Sequence, residues 1–205
     1  MGTLLLALFF LATGYGVFTF SRVIKKRRAY LRAFAEKFGL ACNESQMELT
    51  GALEGLEVRV HNDLRGDRAL EMGAPVGLSH APMVVDVAVP GCPPGLRLQS
   101  TPPRLAAKAG AGPTVTPHET FETAFAASAS EDDDLAILES DAVREAFMAI
   151  ASVPSYRGAL LEGGTLSVFH FNPTLGSPLE AAELGRTVGL ALAAAAALGE
   201  ICSAR

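Results

Sequence analysis

Leu4 to Phe20 is a run of seventeen residues with no charged side chain, and Arg22, Lys25, Lys26, Arg27 and Arg28 follow within eight positions. As a helix the run rises about 25 Å, close to the roughly 30 Å hydrocarbon core of a bilayer. Gly2 and Thr3 extend it on one side; Ser21, Val23 and Ile24 extend it on the other, while Arg22 snorkels into the headgroups. A cleaved signal peptide has the reverse polarity, with cations before its apolar core and a small-x-small site after it. Here only the terminal amine precedes the core, and bulky and basic residues follow it. A lipoprotein signal is excluded because the first cysteine is Cys42. The expectation is therefore an uncleaved transmembrane helix.

The positive-inside rule makes Arg22, Lys25, Lys26, Arg27 and Arg28 the topology determinants. It predicts a single-pass protein of the cell membrane with its C-terminal domain in the cytoplasm. Residues 1–28 form the anchor and basic cluster, and 29–205 a single globular domain. Ala12 and Gly16 form a small-xxx-small pair, a route to a homo-oligomer through the membrane helix.

Charge is divided sharply along the chain. All 22 acidic residues lie after position 28 with 12 of the 17 Lys and Arg, so the domain carries ten net negative charges beside five juxtamembrane cations. Such a domain repels nucleic acid and anionic lipid, which excludes nucleic acid as a partner. The basic cluster faces the lipid bilayer instead. Cys42, Cys92 and Cys202 are odd in number and widely spaced, which fits a reducing compartment and no structural zinc. The excess of Arg over Lys, with abundant Ala and Gly, points to a GC-rich bacterial genome.

Along the domain, helical and strand periods alternate. Tyr30, Leu31, Phe34, Ala35 and Phe38 fall on one side of a helix over Ala29 to Phe38, which Gly39 ends. That stripe is expected to dock on the domain. Met47, Leu49, Leu56, Val58 and Val60 alternate with polar residues around Gly51 to Gly55, the pattern of a β-hairpin. Asn62 to Pro82 reads as an irregular connection, and Met83 to Val89 as the clearest strand. Pro90 to Gly95 turns into a short strand over Leu96 to Leu98, and Thr101 to Pro117 reads as a mobile Pro/Ala/Gly-rich loop. A strand over Phe121 to Ser128 follows, with Phe121, Thr123 and Phe125 on one face.

Ser140 is positioned as the N-cap of a helix whose apolar face is Val143, Phe147, Ile150 and Ala151. Leu160 to Phe171 reads as a second hairpin that turns at Glu162-Gly163-Gly164. Ser177 caps a last helix over Pro178 to Leu198. Glu180, Glu183 and Arg186 leave it about twelve uncharged residues, too few to span, so it reads as a packing helix. Together these elements predict an α+β fold, an N-terminal transmembrane helix followed by antiparallel β-hairpins with packed helices.

Phe121-Glu122-Thr123-Ala124-Phe125, then Asp132-Asp133-Asp134, Leu138, Val143-Arg144, Phe147 and the Leu160 to Phe171 hairpin come in a telling order. It resembles a group of uncharacterised bacterial membrane-anchored domains of unknown function. The resemblance runs from Phe121 to the end of the chain. It implies an α+β domain and brings no catalytic residue with it.

Candidate chemistry is sparse. His61, His80, His118 and His170 can converge with Asp63 or Asp86 into a metal or general-base site, but none has HxxxH or HxH spacing. Structural histidines are the simpler account. Glu131 to Asp134 lacks the alternation and loop glycine of a calcium site and reads as a solvated turn. Ser79 and His80 are adjacent and point to opposite sides of an extended chain, outside any G-x-S-x-G elbow. Gly110 and Gly112 sit in no phosphate-binding motif. No catalytic residue, metal site or cofactor is assigned. The leading expectation is a membrane-anchored, non-catalytic domain that contacts an unknown protein partner at the cytoplasmic face. The alternative is a membrane-associated enzyme with a His/carboxylate site.

Overall fold

The computed structural model describes residues 18, 21–22, 24–26, 28–45, 47–62, 83–100, 120–170 and 178–204. Residues 4–20 (Phe18 excepted), the connection up to Pro82, the 101–117 loop, and Arg27, Asp63, Ser79, His80, His118, Phe171 and Ser177 lie outside them. The predicted membrane span therefore falls outside the described residues.

Within the domain, alternating apolar residues build one antiparallel sheet. Its strands are β1 (Ala41–Asn43), β2 (Glu48–Leu53), β3 (Leu56–Asn62), β4 (Met83–Ala88), β5 (Arg97–Ser100), β6 (Phe125–Ser128), β7 (Tyr156–Glu162) and β8 (Thr165–His170). Their order is β1-β2-β3-β4-β8-β7-β5-β6. Leu49 faces Val60, Val60 faces Val85, Val85 faces Val168 and Val168 faces Ala159, an unbroken apolar row across five strands. All five are buried, and a fully buried Val or Leu side chain contributes about 1.5–3 kcal/mol.

Both tight hairpins turn on two residues with positive φ. These are Glu54 and Gly55 at +54° and +82°, and Gly163 and Gly164 at +57° and +74°. Such turns match the right-handed twist of the strands they join. The first hairpin is accordingly tighter than the sequence suggests: Gly51 to Leu53 continue β2, and only Glu54-Gly55 turn.

Helices cover one face of this sheet. Residues 28–38 form α1, and residues 18, 21–22 and 24–26 are helical as well. Leu31, Phe34 and Ala35 are buried in the core, so the apolar stripe is docked as expected. Gly39 takes φ +67° and the Leu40 amide bonds the Ala35 carbonyl at 2.9 Å, closing the helix. Phe38 stays exposed, stacked on Phe34 at 4.5 Å beneath the Lys37 ammonium.

The Phe121 to Ser128 strand is corrected. Its first half is a single helical turn, α2 (Phe121–Ala124), and β6 starts at Phe125. The reason is aromatic: Phe121 and Phe125 stack at 5.2 Å, and both meet Phe147 edge-on. Residues four apart are neighbours on a helix but about 13 Å apart along a strand.

The acidic run is also a helical turn, α3 (Asp132–Leu135), followed by a 3-10 turn over Ala136–Glu139. The next helix, α4 (Asp141–Ala151), buries Val143, Phe147, Ile150 and Ala151. Ser140 holds its N-cap position without a side-chain hydrogen bond.

The last helix, α5 (Pro178–Ser203), runs five residues past its expected end. It lies over β4 and β8 beside α4. By length and composition Ala182–Ser203 passes as a membrane span, with mean hydropathy 1.4. Leu184, Val188, Ala191, Ala195 and Leu198 nevertheless bury its inner face in the core. The fold is thus α+β: one eight-stranded antiparallel sheet with helices on one side.

Candidate functional site

Strand alternation sends Asp86 of β4 to the face away from the helices, in a strand otherwise made of Met, Val and Ala. On the same face its register neighbours are Arg59 of β3 and Ser167 of β8. The Ser167 hydroxyl donates to Asp86 Oδ1 at 2.6 Å, and His61 Nε2 lies 2.9 Å from Asp86 Oδ2. Arg59 pairs with Glu48 alongside. Next to this polar group, Val84, Leu160 and Phe169 form a small buried apolar cluster separate from the main core.

The chemistry of this arrangement follows from where the hydrogens go. Ser167 donates to the carboxylate, so its oxygen is not aimed at the imidazole as a nucleophile's would be. Asp86 orients His61, and the side chains are 22% and 15% exposed for His61 and Asp86 respectively. The pair has the form of a general-base dyad acting through His61 Nδ1, whose contact among the described residues is a long one of 3.4 Å to the Asn62 carbonyl.

His170 lies on the opposite, helix-covered face, 1% exposed. Its Nδ1 is 2.8 Å from Ser155 Oγ and 3.2 Å from Thr187 Oγ1 of α5. Thr187 gives its proton to the Glu183 carbonyl, so its oxygen is left to accept from an Nδ1–H. The imidazole ties α5 to the end of the sheet. His61 and His170 are therefore separated by the sheet and do not converge.

The basic cluster begins on a helical track. Arg22 sits over the Phe18 ring at 4.8 Å, Lys25 and Lys26 are exposed, and Arg28 is half-buried. The three cysteines are free thiols. Burial, reinforced by the neighbouring Cys202 thiol, pushes Cys92 up to about 11. Burial also raises Cys42.

One open groove of about 590 Å³ runs between the β2–β3 turn, Pro90 and the C-terminal end of α5. Glu54, Leu56, Ala196, Gly199 and Glu200 are among its walls, and neither His61 nor His170 lines it. Sequence reasoning singled out His61 and Asp86 but had no means of pairing them, because 25 residues separate them and no motif links them. The usable signal was a lone acid inside an all-apolar strand. In comparison with known proteins, the chain matches no family model, no curated protein and no solved structure.

Proposed function

We propose that the chain is a single-pass membrane protein whose cytoplasmic domain serves to contact a protein partner at the membrane surface. The observation that carries this reading is α1. Arg22, Lys25 and Lys26 are on helical residues, and Arg28 opens the helix whose Leu31, Phe34 and Ala35 sit in the domain core. At about 1.5 Å per residue, Leu31 is only about 4.5 Å along α1 from Arg28, the last of the five cations. A tether of that form holds the domain close to the lipid in a set orientation. The domain's acidity turns away nucleic acid and anionic lipid and leaves basic protein surfaces as favoured partners. Affinity purification of the tagged full chain from detergent-solubilised membranes tests the reading. A stoichiometric protein partner is expected; recovery of the monomer alone contradicts it.

The His61–Asp86 pair favours a second reading, an enzyme working by general-base chemistry near the membrane. His61→Gln separates the two. Under the leading proposal it leaves partner recovery unchanged, whereas under the second it abolishes turnover.

A further inference from the structure

The outward face of α5 has a charge pattern that is its own complement. Ala182, Arg186, Gly189, Ala193, Ala196 and Glu200 are exposed and fall on one side of the helix, opposite the buried Leu184, Val188, Ala191, Ala195 and Leu198. Four of those six residues are Ala or Gly, and a Cβ built on Gly189 meets nothing within 4 Å. The only charges are one cation and one anion. Arg186 and Glu200 each stand seven residues from Ala193, about 10.5 Å along the axis in opposite directions. Neither side chain has an ion pair among the described residues. At the Glu200 end the same face runs into the open groove, whose rim adds a second carboxylate, Glu54.

We infer that α5 is the seat of an antiparallel homodimer, two copies of this chain crossing at Ala193 on a two-fold axis. In that arrangement Arg186 of each copy meets the partner's Glu200 and the acidic mouth of its groove. Both pairs form at once, because the interface is isologous. A parallel pair would instead set Arg186 against Arg186. Gly189, Ala193 and Ala196 let the helices approach to about 8 Å, the short end of helix packing. The pairing uses only α5 and its groove, so it stands whether or not the chain is anchored. It is also distinct from self-association through Ala12 and Gly16, which changes at α5 would leave untouched.

The test uses the full chain in detergent micelles. Ala193→Cys under mild copper–phenanthroline oxidation is expected to give a disulfide-linked dimer, two thiols losing their hydrogens to the oxidant, whereas Ala142→Cys on α4 is not. By analytical ultracentrifugation, Arg186→Glu alone and Glu200→Arg alone are each expected to weaken the dimer about tenfold. The double exchange restores it. Mixing the two single variants also restores it, as a heterodimer in which both pairs are again complementary. Because both residues are exposed, thermal unfolding should stay cooperative and near wild type. Three results overturn the proposal: no cross-link from Ala193→Cys, dimerisation indifferent to the charge changes, or a bimane probe on the Ala193→Cys variant whose emission shifts with lipid vesicles while the chain stays monomeric.

Discussion

Replacing Leu31 with alanine removes the side chain that seats α1 on the sheet. Leu31 is 1% exposed within the main core, on the helix that follows the basic cluster. The lost transfer free energy of its three carbons is about 2.4 kcal/mol at roughly 0.8 per methylene. A residual cavity adds to this, and α1, with its outer face free, can close part of it. The expected cost is about 3 kcal/mol, or about 150-fold in the ratio of docked to undocked helix. Two measurements on the full chain in micelles check it. Urea unfolding should lose close to that stability, and amides of residues 28–38 should exchange about a hundredfold faster. Lys26→Ala, on an exposed position of the same track, should change neither. If Leu31→Ala stays within about 0.5 kcal/mol of wild type with exchange unaltered, α1 is not held by its apolar stripe.

Three further outcomes follow from single contacts. A Cβ at Gly95 would lie 2.7 Å from Ser130 Cβ, so Gly95→Ala should lower stability by about 1–3 kcal/mol in thermal unfolding, and Ser130→Gly should recover much of it. Asp86→Asn takes the charged acceptor from His61 and Ser167 together and should cost about 1–3 kcal/mol in denaturant, with Glu57→Gln at an exposed position of β3 as the silent control. Cys92, held near 11, should be about a thousandth thiolate at pH 8, and its alkylation should climb about tenfold per pH unit toward that value; a plateau near pH 8.5 would contradict the burial argument. Its proton is bound more tightly in the folded chain, so the stability it contributes below about pH 9 is lost as pH rises toward 11.

Local patterns were legible in the sequence because local physics decides them. Leu31, Phe34 and Ala35 announce α1 by their spacing, Met83 to Ala88 announce β4 by their composition, and Gly163-Gly164 announce a hairpin by the φ values they allow. The Phe121 to Ala124 turn was misread because its apolar residues fit period two as well as period four. Only Phe147, brought in by α4, decides between them. The single sheet and its order were hidden for a related reason: β4 pairs with β8 across 81 residues from Asp86 to Ser167, and nothing near either strand specifies the partner. The same long-range register creates the His61–Asp86 contact and puts His170 on the other face. Candidate chemistry that depends on cross-strand neighbours stays invisible until the register is known.

The proposed topology is tested most directly by a dual reporter on the C-terminus of the full chain in bacterial cells, green fluorescent protein joined to alkaline phosphatase. Fluorescence without phosphatase activity, in membranes that resist alkaline carbonate, is the predicted result. Phosphatase activity, or a released protein whose first residue lies beyond Phe20, would contradict it.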